Sequence, residues 1–289
     1  MKLAVFSHCA IDSITLEGSN YPQIGGAACY CGLTAREFKF DVDLFTKFGK
    51  DFPHQYLADN KIQYGNAESQ NPTTRFAISI VGSDRTLKLE NECEPIQYDG
   101  TDADGCLISP IYHEISNDVF SKIKNDSNFT LVDPQGFLRQ TDSQKNVFLA
   151  KTDIDLNKVN AVKVNPEEAK CIVDGTSDEI MLALQKKGVE YVLFTDKLNV
   201  SLLVKDKVYS LKLPNREVYD TTGIGDIFCA TFCCTMLKEK DFLWALCFAG
   251  GSAQAALDTK KVGLQKIPGR RQIEINASYF YNLVKYRQI

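Results

Sequence analysis

Two patterns of apolar and polar positions alternate along most of this chain. Short apolar runs with the length of a buried strand are predicted at residues 2–7, 42–45, 106–109, 130–133, 162–164 and 191–195. Longer stretches with the composition of helices lie at residues 53–60, 114–124, 227–238, 242–257 and 271–289. Strands that alternate with helices predict an α/β fold, with a mostly parallel, doubly wound sheet and helices on both faces.

Two segments depart from this alternation because they pair strand with strand. Residues 71–81 and 86–90 are strand-like, and Gly82-Ser83-Asp84-Arg85 between them is typical of a hairpin turn. Residues 201–204 and 208–213 form a second predicted hairpin. Neither pair has room for a helix between its strands, so we expect antiparallel pairing at both places.

The composition is that of an ordinary globular protein. With 289 residues, 44% hydrophobic and 24% charged, the chain suits one large α/β domain. A net charge of −4 provides no basic surface for a nucleic-acid backbone, so we expect no nucleic-acid partner. The apolar start turns polar after Phe6, and no apolar run approaches the length of a membrane span. We therefore expect no signal peptide, no membrane partner and a cytoplasmic location.

The ten cysteines are scattered and contain no C-x-x-C pair. Most of them lie within apolar stretches, where a free thiol packs as a small apolar side chain. We therefore expect buried free thiols in a reducing compartment, and neither disulfides nor a zinc site.

The segment Asp220–Asp226, with the sequence D-T-T-G-I-G-D, precedes the apolar run at residues 227–232. Its two glycines predict a sharp bend into the first turn of a buried helix, where unpaired N–H groups and the helix dipole attract an anion. A carboxylate at such a place suggests proton transfer, so Asp226 is the candidate general base. An N-cap is the alternative interpretation. The amides that would hold a transferring phosphoryl group belong to Gly223, Ile224 and Gly225.

This segment resembles the D-T-x-G-A-G-D motif of the ribokinase-like (PfkB) carbohydrate kinases, with Ile224 in place of the alanine. The resemblance continues in order along most of the chain. It implies one ribokinase-like domain over residues 1–289, with a β lid built mainly from about residues 71–92 and with residues 12–24 as a candidate addition. It also implies transfer of the γ-phosphoryl group of ATP to a hydroxyl, with Mg²⁺ as cofactor. As in several relatives, the lid is also a candidate homodimer surface.

Three further segments resemble the acceptor side of this family. Asp12 follows the first strand, where it would hold two hydroxyls, and a turn aspartate is the alternative. Gly25 and Gly26 let a ligand approach the backbone. Tyr30 then occupies the position where the family has an asparagine. Arg139 lies in a D-P-Q-G-x-x-R segment that resembles inositol kinases, where it would brace a phosphate; a surface ion pair is the alternative.

The donor side is implied by the resemblance as well. Asn165 and Glu168 resemble an N-x-x-E element that would hold Mg²⁺, although they also suit an ordinary helix start. Where the family has T-x-G-x-x-G, this chain has Thr195 and Lys197 and lacks both glycines, so either Lys197 supplies a charge or the loop is reshaped. The implied nucleotide contacts are Thr195, Lys197, Thr222, Gly223, Gly225 and Gly250. A monovalent cation is a further candidate cofactor.

No motif identifies the acceptor. A small sugar or sugar-like polyol is the first expectation, and a nucleoside and myo-inositol are the alternatives. A non-catalytic sensor of sugars or nucleotides is the alternative from another class, suggested by the missing glycines and by Tyr30. The complete glycine turn argues against it. A dinucleotide-dependent oxidoreductase is excluded, because no G-x-G-x-x-G follows the first strand.

Overall fold

Strands and helices alternate in the residues that the computed structural model describes, which are 1–81, 84–214 and 220–289. The strands are β1 (Lys2–Phe6), β2 (Ala10–Leu16), β3 (Ser19–Gly25), β4 (Asp41–Phe45), β5 (Ile62–Tyr64), β6 (Thr74–Val81), β7 (Asp84–Asn91), β8 (Gly105–Ile108), β9 (Thr130–Val132), β10 (Arg139–Thr141), β11 (Val147–Leu149), β12 (Ala161–Val164), β13 (Tyr191–Asp196), β14 (Asn199–Val204), β15 (Lys207–Lys212) and β16 (Lys285–Gln288). The helices are α1 (Gly26–Glu37), α2 (Gln55–Asp59), α3 (Asn117–Asp126), α4 (Gln135–Leu138), α5 (Pro166–Ile172), α6 (Ser177–Lys186), α7 (Ile224–Glu239), α8 (Phe242–Asp258) and α9 (Arg270–Tyr281), with a 3₁₀ helix at Gly263–Lys266.

Within those residues, ten strands form the main sheet in the order β16-β15-β14-β13-β12-β9-β8-β1-β4-β5. The strands from β13 to β5 run parallel, and β14, β15 and β16 extend the sheet with antiparallel pairing. Strands β8, β9 and β12 are buried over their whole length, because helices cover both faces of the sheet. The predicted doubly wound α/β fold is confirmed.

A second sheet has the order β3-β2-β6-β7, so residues 10–25 join it fully. Residues 10–25 join this sheet through the parallel pairing of β2 with β6. Strands β6 and β7 form the predicted hairpin. The turn predicted at Gly82 and Ser83 lies outside the described residues. Alternate residues of β2 and β6 are buried, which gives this sheet an apolar inner face. We call the four strands the lid sheet; its function as a lid stays a prediction.

The structure corrects three predictions. Asp12 lies within β2 of the lid sheet and not in a loop after the first strand. In the region of the helix predicted at residues 53–60, the structure has only the short helix α2. The helix predicted at 271–289 ends at Tyr281, and residues 285–288 pair with β15 as β16. The residues of β16 are exposed and polar apart from Tyr286, so only the open edge of β15 makes them a strand.

Helices α7 and α8 are buried around most of their circumference, from Asp226 to Met236 and from Ala245 to Ala256. Gly251 of α8 lets α9 approach, since a Cβ atom there would lie 2.9 Å from the backbone of Ile273. The cysteines are free, and all except the half-buried Cys171 are buried. No helix in the described part of the chain is both long and apolar enough to cross a membrane.

Candidate active site

The lid sheet and the carboxyl ends of the parallel strands enclose a cavity of about 430 Å³. Polar residues follow three neighbouring strands at this edge of the sheet: Ser109 after β8, Asp133 after β9 and Asn165 after β12. Ligands of open α/β sheets bind at such an edge. Most of the sequence-predicted site residues line this cavity, namely Asp12, Gly26, Tyr30, Arg139, Asn165, Glu168, Thr222, Gly223, Gly225 and Asp226.

The remaining predicted residues lie elsewhere. Gly25 lies against the Asp12 side chain, where a Cβ atom would be 2.5 Å from Oδ2, and Ile224 begins α7. Thr195 and Lys197 lie at the tight β13–β14 hairpin, outside the cavity lining. Gly250 packs against Leu211 in the core, where a Cβ atom would lie 3.0 Å from that side chain. The contacts of these last three residues with a nucleotide stay a prediction.

The glycine turn and the start of α7 form one wall of the cavity. Gly223 caps α7 with φ 77°, a left-handed conformation that glycine adopts without strain. A Cβ atom on Gly223 would overlap the ring of Tyr30, which is buried beside the turn. The Ile224 amide donates to the Thr221 carbonyl at 3.2 Å, whereas the next amides belong to a first helical turn and have no partner inside the helix.

Asp226 stands in this first turn with 8% of its surface exposed. Its Oδ1 accepts hydrogen bonds from Ser109 Oγ at 3.2 Å and from Gln135 Nε2 at 3.2 Å. Burial raises the pKa of the Asp226 carboxyl to about 6, and the charge of Asp133 adds to the rise. The charge of Lys163 opposes it. A carboxyl group with this pKa suits proton abstraction near neutral pH.

A buried charge cluster lies behind Asp226. Lys163 Nζ is 3.0 Å from Asp133 Oδ2 and 3.6 Å from Glu168 Oε2. Burial alone would lower the pKa of Lys163, but the two carboxylates outweigh it and raise that pKa above its ordinary value. A Cβ atom on Gly225 would lie 3.3 Å from Lys163 Nζ, so the ammonium group also borders the glycine turn. Lys163 therefore brings one positive charge to the floor of the cavity.

Asn165 and Glu168 form a capping box at the start of α5. Asn165 Oδ1 accepts from the Glu167 and Glu168 amides at 2.9 Å, and Glu168 Oε2 accepts from the Asn165 amide at 2.9 Å. In the described residues, no group of three or more His, Cys, Asp and Glu has the arrangement of a metal site. The two amides use both lone pairs of Asn165 Oδ1, whereas Glu168 Oε1 takes no part in the capping box. The Glu168 carboxylate, which Asn165 holds in place, therefore fits a Mg²⁺ ion bound through water molecules.

Arg139 connects the floor of the cavity to the lid sheet. Its guanidinium donates to Gln135 Oε1 at 2.7 Å and to the Ile111 carbonyl at 2.8 Å. The same group lies 5.8 Å from the ring centroid of Phe76 on β6. Because Gln135 in turn donates to Asp226, Arg139 helps to orient the Asp226 carboxyl group as well as facing the cavity.

The cavity has a polar floor and an apolar roof. Asp12, 6% exposed, is the acid that the lid sheet contributes to the cavity lining. Around it lie the apolar side chains of the lid sheet and of the β10–β11 hairpin, which are Phe76, Ile78, Leu87, Val147, Phe148 and Leu149. Such a cavity can bind the hydroxyls of a small ligand on one side and exclude water on the other.

Sequence reasoning missed several residues of the site, which are Ser109, Asp133, Gln135, Lys163 and the buried pair Asp220 and Lys266. Two signals were available. Ser109 and Asp133 directly follow successive buried strands, where ligand groups gather. Lys163 interrupts the apolar strand β12, and a lysine inside a buried strand is rare unless it is paired.

The pfkB family of carbohydrate kinases matches residues 96–268, which is more than half of the chain. A search of curated proteins found no match to the sequence.

Solved structures share the fold along nearly the whole chain. A pyrophosphate-dependent kinase of the ribokinase family, complexed with a pyrophosphate analogue and myo-inositol, has a TM-score of 0.82 at 18% identity, covering 95% of this chain and 99% of its own. Arabidopsis thaliana ribokinase complexed with ribose and ATP has a TM-score of 0.75 at 17% identity, covering 95% and 98%. The nucleoside kinase of Methanocaldococcus jannaschii has a TM-score of 0.72 at 17% identity, covering 96% and 98%.

At these identities the solved structures establish the ribokinase-like fold, and the family match includes the glycine turn and Asp226. The chain therefore belongs to the pfkB family of carbohydrate kinases, which are phosphotransferases acting on a hydroxyl group.

Proposed function

We propose that this protein transfers the γ-phosphoryl group of ATP to a hydroxyl of a small sugar or sugar-like polyol. The observation that carries the proposal is Asp226, a buried carboxyl group with a pKa of about 6 in the first turn of α7, directly after the glycine turn. Base and anion-binding amides lie within four residues of each other, so an acceptor hydroxyl and a phosphoryl group can meet there.

In the proposed reaction, Asp226 takes the proton of the acceptor hydroxyl while that oxygen forms a bond to the γ-phosphorus. The bond from phosphorus to the leaving oxygen breaks, and the electron pair stays on the nucleotide product. The amides of Gly223 and Gly225 hold the charge of the transferring group, because the Ile224 amide already donates within the turn. Ser109 and Gln135 keep the Asp226 carboxylate in place.

Mg²⁺ would lie on the donor side of the cavity, held through water by the Glu168 carboxylate, which the Asn165 amide keeps in place. When bound, it neutralises part of the phosphate charge. Lys163 borders the same space and supplies a positive charge from the protein itself.

The acceptor is proposed from the cavity lining. Asp12 can accept hydrogen bonds from two hydroxyls and the Arg139 guanidinium can donate to others, which suits a compact, highly hydroxylated ligand. A specific observation also favours myo-inositol as the alternative acceptor: Asp133, Gln135 and Arg139 of the D-P-Q-G-x-x-R segment all line the cavity. A fold neighbour is complexed with myo-inositol.

Pyrophosphate is a second candidate donor. Thr195 and Lys197 lie at a tight hairpin without glycines and outside the cavity lining, so the family's nucleotide loop has a different form here. A fold neighbour uses pyrophosphate. A donor without a base and ribose would need only the phosphate-binding floor of the cavity.

The test is turnover with Mg²⁺ of ATP and of pyrophosphate, each against hexoses, ribose, nucleosides and myo-inositol. One strongly stimulating acceptor identifies the substrate class, and the donor that supports it decides between the two candidates. Asp226→Asn is expected to lower kcat by about 10²–10⁴-fold. Asp241→Asn is the matched control, because Asp241 caps α8 and asparagine caps a helix equally well. Nearly intact turnover of Asp226→Asn would refute the proposed mechanism.

A further inference from the structure

A buried lysine lies directly behind the glycine turn. Lys266 ends the 3₁₀ helix and its side chain is 0% exposed, as is that of its partner Asp220. Lys266 Nζ donates to Asp220 Oδ2 at 2.5 Å, to the Thr222 carbonyl at 2.7 Å and to the Asp220 carbonyl at 3.0 Å. These acceptors all belong to the three residues before Gly223. An ammonium group has three N–H donors, so the oxygens can satisfy it completely.

The pair also fixes the surrounding backbone. The Asp220 carboxylate accepts from the Thr222 amide at 2.8 Å and from the Gly263 amide at 3.1 Å. Burial alone would raise the pKa of Asp220, but the Lys266 charge and hydrogen bond hold it below its usual value. The negative charge therefore stays ionised in the core, and the segment before the turn is tied to the loop after α8.

The contact with the Thr222 carbonyl sets the direction of an amide in the cavity. The peptide between Thr222 and Gly223 is trans, so its C=O and N–H groups point in opposite directions. When Lys266 draws the carbonyl backwards into the core, the Gly223 N–H points away from the core. Thr222 and Gly223 both line the cavity, so we expect that direction to face the proposed position of the transferring phosphoryl group.

We propose that Lys266 is a positioning residue whose ammonium group acts as a built-in monovalent cation, orienting the anion-binding turn so that no added monovalent ion is needed there. A carboxylate oxygen and two backbone carbonyls converging on one point are ligands that also suit K⁺ or NH₄⁺. In this chain the point is already filled by Lys266 Nζ. The inference rests on the proposed function for its effect on turnover, but not for its effect on ion binding.

The first experiment needs no substrate. Tm is measured for the wild type, Lys266→Met and Lys124→Met in choline, sodium, potassium and ammonium chloride at equal ionic strength. Lys124 is the matched control, because it is 4% exposed and donates to the side chain and carbonyl of Asp155, away from the cavity. We expect Lys266→Met to lose roughly 10 °C in choline chloride and to recover much of it in K⁺ or NH₄⁺. The wild type and Lys124→Met should show no such ion response.

The second experiment measures turnover in the same salts. Wild-type kcat should be equal in all of them, and Lys266→Met should lose about 10–100-fold in choline chloride with KM for the acceptor little changed. Potassium or ammonium should restore kcat of the variant. A wild type that requires K⁺, or a folded Lys266→Met that keeps its kcat in choline chloride, would overturn the inference.

If Lys266→Met does not fold in any salt, the pair variant Asp220→Asn/Lys266→Met decides, since removing both charges leaves no unpaired ion in the core. It should have a low kcat without ion response, and an unchanged kcat would overturn the inference. Failure of the proposed function looks different. The wild type would then be inactive in every salt, while the ion-dependent Tm of Lys266→Met would remain.

Discussion

At the scale of single residues, the proposed mechanism requires the Asp226 carboxyl group in its ionised form. Its pKa of about 6 lies above the ordinary value, chiefly because the group is buried. Since a general base acts only when deprotonated, kcat should fall as the pH drops through about 6 and be level above about 7. The measurement is kcat against pH at saturating donor and acceptor. An acid limb near pH 4 would contradict the assignment.

The position of this acid limb should depend on Lys163. The positive charge of Lys163 lowers the pKa of Asp226, so Lys163→Met should move the acid limb to higher pH. Without its partner, the charges of Asp133 and Glu168 are left buried, and the free energy of unfolding should fall by about 3–5 kcal/mol. Lys124→Met, a buried and carboxylate-paired lysine elsewhere, should leave the limb in place. An unmoved limb in a folded Lys163→Met would show that the two charges are not coupled.

The raised pKa of Asp226 also has a cost in stability. A carboxyl group whose pKa rises on folding binds its proton more tightly in the folded state, so stability declines as the pH rises from about 4 to about 6. Asp226→Asn removes this decline and should be more stable than the wild type at pH 7, by roughly 2–3 kcal/mol. Thermal unfolding at pH 4 and pH 7 checks this, because the difference should nearly vanish at pH 4. An equal difference at both pH values would contradict the burial of an ionised carboxylate.

Residue-level prediction from the sequence succeeded where a local pattern carried the chemistry. Gly223, Gly225 and Asp226 lie within four residues of each other. These residues form the start of a helix, and that helix start places them at the cavity. Lys163 and Lys266 act through partners 30 and 46 residues away. No local spacing reveals such a pairing, because the fold alone brings the partners together.

At the scale of elements, the turn before α7 depends on the conformation of Gly223. Gly223 and Gly18 have nearly the same φ, 77° and 78°, but a Cβ atom would overlap Tyr30 at Gly223 and meet nothing within 4 Å at Gly18. Gly18→Ala should therefore cost only the backbone strain, about 1–2 kcal/mol, and leave kcat unchanged. Gly223→Ala should cost more stability and lower kcat by about 100-fold, because the amides move away from the phosphoryl group. Unfolding in urea and steady-state kinetics measure both effects, and equal losses in the two variants would refute the overlap with Tyr30.

A helix or strand could be predicted from the sequence where its own residues determine its structure. The strands of the parallel sheet are continuous apolar runs and were found nearly at their bounds, as with β8 and β12. Strands β2 and β3 mix polar and apolar residues, and the pairing of β3 with β2 and of β2 with β6 is set by the lid sheet as a whole. The polar β16 forms because β15 has an open edge with which it can pair. This cause lies in the tertiary structure and leaves no pattern in the sequence of residues 285–288.

At the scale of the whole molecule, the outer face of the lid sheet is the predicted homodimer surface. Ala77 of β6 lies on this face, opposite to the buried Phe76 and Ile78. We expect a dimer in sedimentation velocity, and Ala77→Glu should weaken it by placing a charge in the interface. Ala183→Glu on α6, outside the lid sheet, is the control and should leave the dimer intact. A monomeric wild type would contradict the prediction.

The order of the main sheet bears on how the protein is made. From β1 onward to β16, the strands follow one another across the sheet in the order in which a ribosome releases them. Each new strand can therefore join the growing edge as soon as it leaves the exit tunnel, without displacing an earlier one. Asp226 and Lys266 emerge only after β15. A nascent chain thus acquires the strands that border the cavity before the segment that carries the proposed proton acceptor. We therefore expect it to stay inactive until synthesis has passed Lys266.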